Sequence, residues 1–278
     1  MASPPAETAS AARDRVLAPF GRRIAEVIGR EQYGPYVVLR CLDPDGPAPQ
    51  AGQFYMLSCA ERWGGGEGER PFLPRAFSVL RALSDADERL ELQFLLEDVG
   101  PGSRRLCELA AGEGLTIVGP LGNGFAPPRE RRRPLLVGGG VGIAPLAIWQ
   151  DQLGGCAPAL VGFRDGSRAL GASLLAGASI ATDDGSVGHH GLVTELLARE
   201  LGHHGGELEV YACGPEPMLD AVAALCAEAG SPAQLALESG MACGFGACFG
   251  CVVATRVGYL RLCLDGPVLD AALLGGAR

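Results

Sequence analysis

The chain has no lysine: its 23 basic residues are all arginine, set against 32 acidic residues, for a formal net charge of −9. A nucleic-acid binder needs a basic face to neutralise phosphates, so this balance argues against one. The single basic run, Arg131-Arg132-Arg133, reads as a solvated linker. Long apolar runs are also missing; none reaches the roughly 18 residues that cross a bilayer as a helix. Residues 1–18 lack the apolar core of a secretory signal. The expectation is therefore a cytoplasmic protein with no membrane association. The stretch 1–20 is rich in Ala, Pro and Ser and reads as a disordered tail. Aromatic residues are only 6%, yet hydrophobic residues make up 47% of 278 residues, enough for two well-cored domains.

Glycine (42) and cysteine (ten) are plentiful. In a reducing compartment cysteines are thiols or metal ligands. Cys41, Cys59, Cys107, Cys156 and Cys226 stand singly in apolar surroundings and read as core filler. Four others stand close together: Cys243, Cys248 and Cys251 in a C-x4-C-x2-C spacing, then Cys263. That spacing is the one used for plant-type [2Fe–2S] ligation. Gly244, Gly246 and Gly250 let the segment curl and aim backbone N–H groups at sulfur. Structural zinc stays open as an alternative, although zinc knuckles pair cysteines closely and the second half offers only Cys263. Paired or unligated thiols are the remaining alternative.

From residue 22 to 120 the pattern is short strands broken by Gly/Pro turns: Tyr36–Arg40, Gln53–Ser58, Arg75–Arg81, Leu90–Leu96 and Leu115–Val118, with one short helix, Ser103–Leu109. This implies an antiparallel β-barrel over 21–128, interrupted by a glycine-rich loop at Trp63–Gly68. Beyond Pro134 strands at Leu135–Val137, Ala159–Phe163, Ala178–Ala181 and Leu208–Ala212 alternate with helices at Leu146–Leu153, Leu192–Leu201 and Glu216–Ala229. Such alternation implies a doubly wound parallel α/β domain over 129–232, with ligands at the carboxyl ends of its strands. Residues 233–278 then read as a small appended cysteine module.

Gly138 to Pro145 is a glycine-rich strand-to-helix turn of the kind that admits a nucleotide pyrophosphate. Cys213-Gly-Pro215 ends the strand Leu208–Ala212 at the same sheet edge, either facing a ligand or simply buried before a turn. Asp183-Asp-Gly-Ser186 ends another strand there and can meet a ribose or form a polar turn. On Arg75-Ala76-Phe77-Ser78, strand alternation puts Arg75 and Phe77 on one face and Ala76 and Ser78 on the other. Arginine suits a phosphate, and a hydroxyl can reach a ring nitrogen.

The order of these motifs, with Gly100-Pro-Gly102-Ser103 and Gly119–Phe125 between them, resembles the ferredoxin–NADP reductase superfamily. Within it, Glu238–Cys251 and Cys263–Val268 resemble the electron-transfer subunit of type 1B (NAD-linked) dihydroorotate dehydrogenase, as do Gly119–Phe125 and Tyr211–Met218. The resemblance implies FAD, a [2Fe–2S] cluster and NAD as cofactors. Arg75 then binds the FAD pyrophosphate, Ala76 and Phe77 flank the flavin, and Ser78 lies near its reactive nitrogen. Leu95, Leu96 and Glu97 run beside the cofactor, and Gly102 and Ser103 cradle phosphate. Cys243, Cys248, Cys251 and Cys263 hold the cluster. Gly140, Gly142 and Cys213 face NAD, with Cys213 in the catalytic position beside the nicotinamide. Phe77 departs from the tyrosine that many members of the superfamily carry. The implied partner is an FMN-containing subunit that oxidises dihydroorotate to orotate in pyrimidine synthesis, assembled as a heterotetramer of two plus two. Two other readings are kept: the flavin subunit of an NADH-dependent ferredoxin:NADP oxidoreductase or sulfide dehydrogenase, and a zinc-stabilised nucleotide-binding regulator.

Overall fold

The computed structural model describes residues 21–64, 71–84 and 87–275. The expected tail and the 65–68 part of the glycine loop lie outside the described residues.

Six strands close into an antiparallel barrel: β1 (Arg23–Tyr33), β2 (Tyr36–Leu42), β3 (Phe54–Cys59), β4 (Arg75–Ser84), β5 (Leu90–Glu97) and β6 (Gly114–Leu121), in the order β1-β2-β5-β4-β3-β6. Helix α1 (Pro101–Cys107) bridges β5 and β6. β-Branched and aromatic residues in β2 and β3 suit a pleated surface, and closure leaves no edge to pair with another chain. Inside the barrel Tyr55 meets Phe94 edge-on, with ring centroids 5.5 Å apart. Strand β1 went unread in the sequence because Gly29-Arg-Glu-Gln32 interrupts its alternation with exposed and half-buried polar residues.

The second unit contains β7 (Arg133–Gly139), α2 (Ala144–Gln152), β8 (Ala159–Phe163), α3 (Gly166–Ala169), β9 (Ser179–Thr182), β10 (His189–His190), α4 (Val193–His204), β11 (Leu208–Cys213), α5 (Glu216–Glu228) and β12 (Ala233–Ala236). Then come a hairpin, β13 (Val252–Thr255) with β14 (Gly258–Arg261), the single turn α6 (Leu262–Asp265) and β15 (Val268–Asp270). The main sheet runs β10-β9-β8-β7-β11-β12-β15, parallel except for β15. Chain order runs outward in both directions from the β7/β11 pair, so the topological switch point lies there.

Three sequence expectations change. Strand β12 pairs with β11, and β15 returns against β12, so the boundary expected at 233 falls inside the sheet. The cysteine segment is a long excursion between two sheet strands. Ala233–Ala236, four residues buried on both faces, carry no alternation to mark them as a strand. Arg133 belongs to β7 rather than to a linker. Cys156 is exposed in the turn after α2, whereas Cys41, Cys59, Cys107 and Cys226 are buried as expected.

The segment joining the two units is tied down closely. Tyr211 Oη and Gln234 Nε2 both donate to the Ala126 carbonyl at 3.1 Å, and the Ala126 N–H donates to Gln234 Oε1 at 2.8 Å. The buried Glu209 carboxylate accepts the Arg129 N–H at 2.6 Å. Phe125, Trp149 and Tyr211 stack around this crossing with centroids 5.4–5.8 Å apart. These contacts fix how the barrel faces the carboxyl edge of the sheet.

Candidate functional site

A cleft of about 660 Å³ opens at the switch point, between that edge and the barrel. The β7 turn supplies Gly139, Gly140 and Gly142; Gly214 and Pro215 follow β11; the barrel supplies Tyr36, Glu97 and Val99. Glycine at 142 is a steric requirement, since a Cβ there would lie 2.4 Å from the Cys213 carbonyl oxygen. Gly140 has a φ of +54° and open space beside it, the nearest atom to a Cβ being Tyr36 Oη at 3.9 Å. The Tyr36 hydroxyl is shielded from solvent and has no partner among the described residues. Burial, then the nearby Glu97 carboxylate, pushes it up to about 12, so it stands as a neutral donor. An unpartnered buried hydroxyl beside a bare glycine turn suits a polar ligand lying along the backbone.

Charge at the cleft comes from Arg164, Arg168, Asp183 and Glu238. Arg168 bridges the two units: Nη2 donates to Glu97 Oε1 at 3.0 Å and Nη1 to Asp165 Oδ2 at 2.8 Å. Asp183 lines the cleft, while its neighbours Asp184 and Ser186 close a polar turn on each other at 2.6 Å. Glu238 keeps solvent contact at the cleft mouth, yet desolvation there raises its carboxyl above the ordinary range. Cys213 lies behind Gly214, buried and outside the lining; burial, reinforced by Glu238, holds its thiol well above the usual value and therefore protonated.

At the start of β4, on the same end of the barrel as Glu97, Arg75 lies across the first turn of α1. A Cβ on Gly102 would sit 2.7 Å from Arg75 Nε, so the guanidinium occupies room that only glycine leaves. A cation and the first N–H groups of a helix thus meet where an oxyanion would be held. The Ser103 hydroxyl is used within the turn, accepting from the Val99 and Gly100 N–H groups at 2.9 and 3.1 Å. Ala76 is exposed and Phe77 and Ser78 half-buried along β4. Leu95 and Leu96 are buried in the barrel core, and of that trio only Glu97 reaches the cleft.

The cysteine segment packs onto the outer face of β3. Gly244 has a φ of +80°, and a Cβ there would meet Met56 Cγ at 2.5 Å; at Gly246, φ +87°, it would meet Leu264 Cδ1. Asn123, the sequence's one asparagine, donates from Nδ2 to the Leu264 carbonyl at 3.0 Å and ties the segment to the end of β6. Cys251 and Cys263 are buried, Cys243 half-buried and Cys248 exposed. Cys243 interacts with Cys248, and Cys263 with both Cys251 and Cys243, the Cys263 N–H also donating to Cys251 Sγ at 3.5 Å. Burial opposes ionisation of Cys243, but the N–H groups of Phe245, Cys248 and Ala247 aimed at its sulfur outweigh it and bring the thiol down to about 7. Burial and the adjacent Cys251 push Cys263 up to about 12.

Among the described residues, no three Cys, His, Asp or Glu side chains converge on one metal position. A tetrahedral zinc site needs its ligands around a single point, whereas a [2Fe–2S] cluster takes four thiolates as two pairs, one for each iron. Four neighbouring cysteine sulfurs, with backbone amides aimed at Cys243, fit the binuclear cluster.

Of the sequence-predicted site residues, Gly140, Gly142 and Glu97 line the cleft, Arg75 meets Gly102 at α1, and the four cysteines lie on the excursion before β15. Missed were Tyr36, Arg164 and Arg168, which reach the cleft from scattered segments without a local motif. Trp63 beside Arg75 was noticed only as part of an unassigned loop.

Barrel, switch-point cleft and neighbouring cysteines together define an oxidoreductase of ferredoxin-reductase architecture with an iron–sulfur segment. In fold, the chain is similar to a structure of the NADH-dependent reduced ferredoxin–NADP oxidoreductase (TM-score 0.73, 24% identity, covering 92% of this chain and 91% of that one). It is also similar to a ferredoxin NADP+ reductase from Neisseria gonorrhoeae (TM-score 0.59, 18% identity, 75% of this chain and 91% of that one). Residues 238–275 match the sequence model of the iron–sulfur cluster binding domain of dihydroorotate dehydrogenase B. The NAD(+)-type dihydroorotate dehydrogenase B electron transfer subunit of Caldanaerobacter subterraneus subsp. tengcongensis is 35% identical over 259 residues, covering 89% of this chain and 96% of the relative. That of Clostridium acetobutylicum is 34% identical over 220 residues, covering 78% and 82%. The chain belongs to the family of dihydroorotate dehydrogenase B electron-transfer subunits.

Proposed function

We propose that this chain carries electrons between NAD+ and a partner subunit that holds FMN and oxidises dihydroorotate to orotate, in pyrimidine biosynthesis. Its own residues hold FAD and a [2Fe–2S] cluster. In this reading two copies assemble in the cytoplasm with two of the partner. Bound FAD supplies the conversion between two-electron exchange with a nicotinamide and single-electron exchange with a cluster.

One observation carries the reading. Gly244 of the cysteine segment packs on Met56, and Met56 stands directly across the β3–β4 ladder from Ala76, in the strand that bears Arg75 and Ser78. The cysteine segment thus packs on the strand next to the one that bears Arg75 and Ser78, which supports a cluster seated close to the flavin.

Arg75 and the N–H groups of Gly102 and Ser103 hold the FAD diphosphate; Phe77 flanks the ring system, and Ser78 offers a hydroxyl to its reactive nitrogen. Leu95 and Leu96 contribute backbone, and Glu97 borders the meeting point of flavin and nicotinamide. Gly140 and Gly142 admit the NAD backbone, and Cys213 is a neutral thiol behind that surface. Cys243, Cys248, Cys251 and Cys263 ligate the cluster. Exposed Phe249 and Val252, next to the exposed Cys248, form the rim on which the partner docks.

The test is to purify the chain with the FMN subunit and add dihydroorotate. The expected result is stoichiometric reduction of NAD+, with flavin and cluster absorption that bleaches on adding NADH. A colourless protein holding one zinc ion, or a complex inert to dihydroorotate, would sink the reading.

A further inference from the structure

Trp63 lies at the start of the excursion between β3 and β4, whose neck is closed by the Gly64 N–H donating to the Pro71 carbonyl at 2.8 Å. Its ring packs against the barrel core, and Arg75 Cζ stands 6.0 Å from the ring centroid. The guanidinium is thereby held on three sides. The indole lies on one, the Leu73 carbonyl accepts from Nη1 at 2.6 Å on another, and the backbone of Gly102 closes the third. Such a cage limits the rotamer freedom that an arginine loses when it grips an anion.

The indole N–H carries the argument further. Nε1 is shielded from solvent and has no hydrogen-bond partner among the described residues. A buried donor left unmade is costly, and Trp is a donor only, so what satisfies it must be an acceptor. The group against its ring is the Arg75 guanidinium, a cation that attracts an anionic acceptor. We propose that Trp63 belongs to the diphosphate subsite of the bound dinucleotide: its indole N–H donates to a phosphate oxygen while its face holds Arg75 in place. The proposal rests on the FAD reading above and adds a ligand to it.

The experiment titrates the flavin-stripped full-length chain with FAD and, separately, with riboflavin, which lacks the phosphates. Trp63→Phe keeps a stacking ring and removes the N–H. It is expected to weaken FAD binding about ten- to a hundredfold, the range of a hydrogen bond to a charged acceptor, and to leave riboflavin binding unchanged. Trp63→Ala, which also frees Arg75, is expected to weaken FAD further, with cluster absorption intact. Equal FAD affinity in the wild type and Trp63→Phe overturns the proposal, as does an equal loss for FAD and riboflavin, which would mark Trp63 as merely structural. A wild-type chain that takes up no FAD overturns the underlying flavin reading instead.

Discussion

The cysteine segment gathers its ligands between residues 243 and 263 of one excursion, whereas the nucleotide cleft draws its lining from both units of the fold, from Tyr36 to Glu238. In the segment, side chains carry the chemistry and glycines only permit the curl. In the cleft, sheet topology does most of the work: two strand ends part at β7 and β11, and bare backbone faces the gap. The segment packs on β3, whereas no described residue of β3 or β4 lines the cleft, so each region is held by its own contacts. Damage to one should therefore spare the other, and the experiments below test that separation.

The largest effect is expected from Cys248→Ser. A thiolate ligand is replaced by a hydroxyl that stays protonated, so cluster absorption should vanish, and electron transfer from the partner with it. FAD content and NADH-dependent flavin reduction should remain, because Arg75, Gly102 and the cleft are untouched. Loss of flavin together with the cluster would mean that the cysteine segment is a structural part of the barrel.

The same contrast explains what could be read from sequence. A C-x4-C-x2-C spacing records ligand chemistry in a few consecutive residues, so Cys243, Cys248, Cys251 and Cys263 were legible before any fold was known. Strands β2 to β6 and the β7 turn were legible for a similar reason, since periodicity and glycine punctuation are local. Arg168 was not: it becomes a cleft residue only when α3 packs against the end of β5, a contact across 71 residues of sequence. Leu95 and Leu96 show the other limit: their side chains are core, so only their backbone is left to run beside a cofactor, and alternation alone does not tell the two roles apart. The sheet membership of β12 and β15 was hidden because the pairing spans the whole cysteine excursion.

An intermediate effect is expected from one methyl group placed in each region. Gly142→Ala sets a Cβ against the Cys213 carbonyl, and Gly244→Ala sets one against Met56 at a φ of +80°. Gly244→Ala should cost about 1–2 kcal/mol for the left-handed backbone alone, with more for the contact. It should lower cluster occupancy while leaving the KM for NADH in flavin reduction unchanged. Gly142→Ala should raise that KM severalfold and leave the cluster spectrum intact. Crossed results, with KM following Gly244 or the cluster following Gly142, would break the separation.

The smallest effect concerns the ion pair that joins the units at the cleft rim. Arg168 and Glu97 are 30% and 21% exposed, so screening keeps their pairing near the range of surface pairs. Glu97→Gln should cost about 0.2–1 kcal/mol in denaturant unfolding, and less at high salt. Asp165 grips the same arginine: the backbone N–H of Arg168 first, then its guanidinium, lower the Asp165 carboxyl below its ordinary value. A carboxyl lowered in the folded state stabilises above its unfolded pKa, and that contribution fades as pH falls through the lowered value. Acid should therefore loosen Arg168 from Asp165 after most other carboxyls have protonated, and Asp165→Asn should remove that acid-side dependence. The readout is the KM for NADH in flavin reduction. If Arg168 positions the cleft, KM rises in Glu97→Gln and Asp165→Asn while the cluster spectrum stays unchanged. If both variants shift stability without moving KM, the bridge joins the two units without shaping the site between them.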